Sequence, residues 1–145
     1  MALTSRAGQS YGDSQADIAG YLRAYSSQGY PAEHFADAAC GCANRTFILS
    51  VDETQGAAVR KCTACELEHP IGDSGEYLDE AELEECGCPC GAVGLELTVG
   101  VALYTGSQDV RWIYIGARCP QCGLTGCYGD WKNEFLGYKE LLSRV

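Results

Sequence analysis

Ten cysteines fall mostly in short-range pairs, and their spacing constrains this 145-residue chain more than any other feature. Cys40-Gly-Cys42 is followed, after nineteen intervening residues, by Cys62-Thr-Ala-Cys65, and Cys88-Pro-Cys90, after twenty-eight, by Cys119-Pro-Gln-Cys122. Two tight turns that each offer two sulfurs supply four soft donors when a hairpin brings them together. Four such donors at the corners of a tetrahedron suit a structural zinc ion, about 2.3 Å from each sulfur. The grammar occurs twice, so it predicts two zinc ions per chain. Cys40, Cys42, Cys62 and Cys65 are the expected ligands of one, and Cys88, Cys90, Cys119 and Cys122 of the other. Thiols kept for metal belong to a reducing compartment. The N-terminus has no signal-peptide core and no apolar run reaches membrane-span length, so a cytoplasmic protein is expected.

Aligning Cys40 on Cys88 matches more than sulfur. Phe47-x-Leu49-x-Val51 falls on Leu95-x-Leu97-x-Val99, and Phe35 on Leu83; with Cys62 on Cys119, Leu67 meets Leu124 and Ile71-Gly72-Asp73 meets Tyr128-Gly129-Asp130. This is the pattern of an internal repeat of helix, cysteine turn, hairpin and cysteine turn. It predicts one domain over residues 1–145, with a first zinc unit at about 31–78 and a second at about 79–145. In this register Cys86 falls on Ala38 and Cys127 on Pro70, so both are spare: buried thiols, or a reactive pair beside the second site. Spacing alone leaves Cys86 with Cys88 as a rival ligand pair.

The remaining sequence reads as an α+β scaffold, two antiparallel hairpins with short flanking helices. Ser14-x-x-Asp17 resembles a capping box ahead of Ile18, Tyr21, Leu22 and Tyr25 on one helical face, with Gly29 as the stop. A second helix is expected over 32–39 after Pro31, and a short acidic one from Asp79 to Glu85. Residues 46–51 and 57–61 read as strands around a turn. Leu95, Leu97, Val99, Val101 and Leu103 alternate with Glu96, Thr98, Gly100 and Ala102, the signature of a half-buried strand. Its return is expected over 110–117, and Tyr138, Leu141, Leu142 and Val145 keep helical spacing.

Both cysteine sets resemble zinc ribbons. Cys88-Pro-Cys90-Gly91-Ala-Val93-x-Leu95 with Cys119-Pro-x-Cys122-Gly123 is similar to the structural zinc site of the glutathione-dependent formaldehyde-activating family. That likeness implies structural ligands in a twisted antiparallel sheet. The family's catalytic C-x-C-x-x-C motif has no counterpart, because residues 91–118 contain no cysteine and no histidine. Formaldehyde chemistry is not implied. The whole chain resembles small bacterial double zinc-ribbon proteins, which implies no particular activity.

Catalysis finds little support in the residues. A catalytic zinc keeps an open position, and two full sets of four cysteines leave none. The histidines are His34, in a predicted helix, and His69, four residues after Cys65. Charge argues against nucleic acid and anionic membrane: twenty acidic against ten basic residues give −10. Two Zn(Cys)4 sites, each adding four thiolates and one dication, would take it to −14. The expected function is therefore that of a zinc-stabilised protein-binding module for a basic partner, as an inhibitor or immunity protein would be. The acidic run Asp73, Glu76, Asp79, Glu80, Glu82, Glu84 and Glu85 is one candidate face, and the aromatic stretch around Trp131 another. A small cysteine-dependent enzyme or redox factor using Cys86 and Cys127 is the alternative.

Overall fold

A computed structural model of the chain describes residues 3–145. The elements run β1 (Thr4–Arg6), β2 (Gln9–Tyr11), α1 (Ala16–Ser26), β3 (His34–Asp37), β4 (Phe47–Asp52), β5 (Ala57–Cys62), β6 (Glu68–Pro70), a 3-10 turn (Ser74–Glu76), β7 (Glu84–Cys86), β8 (Glu96–Leu103), β9 (Val110–Arg118), β10 (Leu124–Phe135) and α2 (Tyr138–Leu142). A six-stranded sheet has the order β1-β2-β10-β9-β8-β3 and a four-stranded sheet the order β6-β5-β4-β7. The pairings are antiparallel. Mostly sheet with two short helices, the architecture is α+β.

Apolar alternation explains the hairpins. Phe47, Leu49 and Val51 of β4 point inward with Ala58 and Cys62 of β5, and they share one core with Leu97, Val99, Val101, Ile113 and Ile115 of the larger sheet. The opposite face of that sheet carries Ala102 and Tyr114, which α1 covers with Ile18 and Leu22. Strand β8 is thus buried on both faces, where alternation alone predicts one. Its second face is made of Thr98, Gly100 and Ala102, small enough for α1 and the Phe35 ring to close over. Asp17 starts α1 by accepting from the N–H groups of Asp13 and Ser14 at 2.8 and 3.3 Å.

Two expected helices are strands. Within residues 32–39, His34–Asp37 form the edge strand β3, flanked by Glu33 N–H donating to the Val101 oxygen and Ala38 N–H to the Leu97 oxygen, both at 2.9 Å. Eight residues make a marginal helix, whereas the open edge of β8 offers partners to the backbone groups on the facing side of the segment. The acidic segment 79–85 likewise has no helix: Glu80 and Glu84 at helical spacing would repel. Instead Glu82 N–H donates to Asp52 Oδ2 at 2.8 Å, and Glu84–Cys86 pairs with β4. Asp73, expected on the solvated acidic face, is buried and accepts from Asn133 Nδ2 at 2.9 Å.

The strand before each cysteine turn crosses to the other hairpin. β3 pairs with β8, whereas β7 pairs with β4. A displacement of 48 residues carries Ala36↔Val99 onto Glu84↔Val51, and Asp37↔Thr98 onto Glu85↔Ser50, with the roles of the two hairpins exchanged. Phe47 and Leu95, themselves 48 apart, bridge the sheets with reciprocal backbone hydrogen bonds of 2.9 and 2.8 Å.

Close approach of α1 to β9 depends on Gly116. A Cβ there would stand 2.5 Å from Ile18 Cγ2 and 3.0 Å from Leu22 Cδ1. Gly116→Ala should therefore destabilise the protein by about 1 to 3 kcal/mol, read as a lowered midpoint in chemical denaturation. An unchanged midpoint would mean that the helix is not packed as described.

Candidate metal centres

Each group of four cysteines is assembled from two turns of one design. After β3, Cys40 N–H donates to the Asn44 oxygen at 2.9 Å and Ala43 N–H to the Cys40 oxygen at 2.8 Å; after β7, Cys88 N–H and Gly91 N–H make the equivalent bonds to Ala92 and Cys88 at 3.2 and 2.9 Å. At the end of β5, Glu66 N–H returns to the Cys62 oxygen at 3.0 Å, as Gly123 N–H returns to Cys119 at 2.8 Å after β9. Both turn types need a left-handed residue at the return. The second site uses Gly91 and Gly123, at φ of +96° and +85°; the first uses Ala43 and Glu66, at +77° and +64°.

The turns bring together Cys40, Cys42, Cys62 and Cys65 in one group and Cys88, Cys90, Cys119 and Cys122 in the other. Within each group the sulfurs lie within 4.8 Å of one another. Cys40–Cys65 and Cys42–Cys62 are 3.5 and 3.6 Å apart, Cys88–Cys122 and Cys90–Cys119 3.4 and 3.7 Å. These distances exceed a disulfide bond by more than an ångström. They approach the edge, about 3.8 Å, of a tetrahedron with arms of about 2.3 Å. The donor set thus fits a tetrahedral thiophilic cation. Ala64 N–H and Cys65 N–H point at Cys62 Sγ, each at 3.4 Å. The Cys65 N–H leads in drawing the Cys62 thiol down to about 6, burial opposing and Asn44 assisting. Burial raises Cys119, but N–H groups of Cys122 and Gln121 outweigh it and hold it at about 7.

The surroundings of the groups differ. Asn44 Nδ2 donates to Cys62 Sγ at 3.2 Å. Arg60, buried and 4.5 Å over the Phe47 ring, carries a positive charge felt by Cys40 and Cys62. In the ladders Leu49↔Arg60 corresponds to Leu97↔Ala117, and Asn44 in the turn corresponds to Ala92. The second group therefore lacks both polar partners. Sequence reasoning singled out neither Asn44, in the turn after Cys42, nor Arg60, two residues before Cys62 on β5, because no spacing rule marks a polar partner that stands beside a ligand set.

Cys86 and Cys127 lie outside both groups and apart in the packing, the first against the core between the sheets and the second against the core under α1. Burial raises the Cys86 thiol, helped by Glu84, Glu53 and Glu85. Burial also pushes Cys127 up to about 12, with Asp130 and Glu53 adding to it. Both are protonated near neutral pH, the opposite of an activated nucleophile. His34 stacks on Tyr138 at 3.9 Å, and His69 Nε2 meets the Arg144 oxygen at 2.6 Å. Neither histidine joins a cysteine group.

Carboxylates converge on a groove of about 540 Å³. Asp52 organises it: its Oδ1 accepts from Thr54 and Gln55 N–H at 2.9 and 3.2 Å in the β4–β5 turn, and its Oδ2 from Glu82. Those N–H groups, Glu82 first, hold the Asp52 carboxyl below its ordinary value. The tie places Glu53 opposite Glu80, Glu82, Glu84 and Glu85, with Tyr128 at the wall.

Two substitutions check the turns. Ala43→Gly relieves a left-handed alanine and should raise stability by roughly 1 kcal/mol in denaturant unfolding; a loss would show that the turn is not strained. Cys88→Ser should release one metal equivalent, whereas Cys86→Ser should release none. Equal loss from both would place Cys86 among the ligands. No protein-family model, curated protein or solved structure matches the chain.

Proposed function

We propose that the chain is a non-catalytic protein-binding module stabilised by two zinc ions, with the acidic groove as its docking face for a basic partner. The observation that carries this reading is the convergence of Glu53, Glu80, Glu82, Glu84 and Glu85 on one groove of a chain with net charge −10. A basic segment entering such a groove is steered by the field and exchanges solvated carboxylates for paired ones. An inhibitor or immunity protein of a cationic toxin would work in this way.

Two closed four-sulfur sets support a structural role for the metal. Zinc bound by Cys40, Cys42, Cys62 and Cys65, and by Cys88, Cys90, Cys119 and Cys122, has no open position for water or substrate. The chemistry it supplies is a cross-link between the turns. Support for reading the cysteine-tipped hairpins β4–β5 and β8–β9 as two zinc ribbons from an internal repeat comes from their matching registers. Thiol ligands in this number suit the cytoplasm.

Elemental analysis of protein grown with zinc should give about two equivalents, and chelation should abolish most of the cooperative unfolding transition. One equivalent, or an unchanged transition, would reject two structural zinc sites. Docking is tested separately with a lysine-rich peptide as probe. Its association should slow as salt rises, and the combined reversal Glu80→Lys, Glu82→Lys and Glu84→Lys should slow it by about tenfold without changing Tm. A salt-independent rate that the reversal leaves untouched would reject the acidic face.

A further inference from the structure

Arg111 on β9 is a cation held by aromatic rings instead of by a carboxylate. Its guanidinium carbon lies 4.0 Å from the centroid of the Tyr30 ring and 5.4 Å from that of Tyr104, so one charge rests against two phenols. Its Nη2 donates to Tyr30 Oη at 3.1 Å. Among the described residues Arg111 makes no ion pair. Glu134, the carboxylate that touches Tyr104, accepts from its hydroxyl at 2.9 Å and pairs with Lys132 at 3.2 Å. Tyr30 is fixed in its turn, because its carbonyl accepts from Tyr114 Oη at 2.6 Å and its ring packs against Trp112 at 5.2 Å. Arg111, Tyr30 and Tyr104 line one cavity of about 460 Å³ at the β8–β9 turn, with Pro31 and Leu103 also on its wall. Arg111 and Tyr104 are half-buried and Tyr30 is 37% exposed, so none of the three is closed off from solvent.

A guanidinium held in this way keeps its remaining N–H donors in a planar fork. The Tyr30 hydroxyl accepts from Nη2 and has its own hydrogen to give. The two atoms are 3.1 Å apart, which puts both donors within reach of a single oxyanion. We propose that this cavity binds a carboxylate, whose oxygens accept from the Arg111 guanidinium and the Tyr30 hydroxyl. Charge decides which anion fits. The net charge of −10 repels anions at long range, so the site works through contact, where charge-assisted N–H···O bonds are the strong ones. Glu33 lines the same cavity and adds a negative charge, which penalises a dianion about twice as much as a monoanion. A monocarboxylate is therefore favoured over sulfate or phosphate. Pro31 and Leu103 offer a short apolar chain a surface to lie on. The same group is carried by a free small acid and by the C-terminus of a peptide. The site shares no residue with the acidic groove proposed to dock a basic partner and needs no zinc, so it stands or fails independently of that role.

Backbone amide signals of the isotope-labelled protein, followed at constant ionic strength for Gly106, Ser107 and Arg111, provide the test. Butyrate should shift them saturably with a Kd of about 1 to 10 mM. Butyramide, similar in shape but uncharged, and sulfate should each bind at least about tenfold more weakly. This selectivity is read on the unaltered protein, so it does not depend on any variant folding. Arg111→Lys keeps the charge and loses the fork, and should weaken butyrate by about tenfold. Tyr30→Phe keeps the ring and loses the hydroxyl, and should weaken it by about threefold. N-acetylated trialanine with a free C-terminus assigns the carboxylate to a peptide end where it binds more than about threefold tighter than butyrate, and to a free small acid otherwise. The proposal is overturned by the absence of a saturable shift with either carboxylate, by equal binding of butyramide or sulfate, or by an Arg111→Lys variant of unchanged Tm that binds butyrate as tightly as the unaltered protein.

Discussion

The crossing of strands at the Phe47–Leu95 bridge is the constraint on which the remaining structure depends. Reciprocal backbone hydrogen bonds there join two sheets that are otherwise separate ladders. The crossing makes each cysteine turn hang between the hairpins: the strand leading into it is paired with one, and the chain leaving it builds the other. Neither hairpin can therefore separate without stripping an edge strand from its neighbour. Burial follows the same logic. Phe47 and Leu95 are fully buried, and Leu49, Leu97 and Val99 pack into one core that draws on both sheets. Each fully buried side chain of this size contributes about 1.5 to 3 kcal/mol, and the loss of one edge strand would expose several.

What was legible in the sequence was local. The cysteine turns are legible because two sulfurs a few residues apart need no distant partner to be recognised, and the β4–β5 and β8–β9 hairpins because their apolar alternation is carried within each strand. Helix α1 is legible from four apolar positions on one face. The failures are non-local. Residues 32–39 and 79–85 resemble helices by composition, and only the open edges of β8 and β4 make strands of them. Strand β10, the longest, is not legible because register shifts after Cys127 and Lys132 break its period. The acidic groove was half legible: the run from Glu80 to Glu85 is visible in sequence, but Glu53 joins it only through the Asp52 tie.

The two four-cysteine groups share backbone and differ in electrostatics. Four thiolates and one divalent cation leave a net double negative charge, which a protein must solvate, hydrogen-bond or neutralise. Around Cys62 that work falls to the N–H groups of Ala64 and Cys65, the Asn44 amide and the Arg60 guanidinium. Around Cys119 only backbone N–H groups are drawn in, since alanines occupy the positions matching Asn44 and Arg60. Backbone conformation runs the other way, with glycine at the left-handed positions of the second group and side chains forced there in the first. The first site thus combines better charge compensation with a strained backbone, and the second a relaxed backbone with less compensation.

That division bears on how an acidic chain can carry two such centres. Adding negative charge to a protein at −10 raises self-repulsion, and the cost is least where a buried cation already stands. Arg60 is the buried cation nearest this role: its guanidinium donates to the Val145 and Ala39 oxygens at 2.9 and 3.5 Å and lies over Phe47, and its charge interacts with Cys40 and Cys62. Solvent shares charge at both rims, and more at the first: Cys42 and Cys65 are both exposed there, whereas in the second group Cys90 is exposed and Cys122 half-buried. The acidic groove lies across β4 and β7, on the four-stranded sheet that carries the Arg60-compensated group. The groove is, however, at the Asp52 end of the β4–β5 hairpin, opposite Cys62, and its wall residue Tyr128 feels Cys88, Cys119 and Cys122, so its carboxylates gather on the side of the second group.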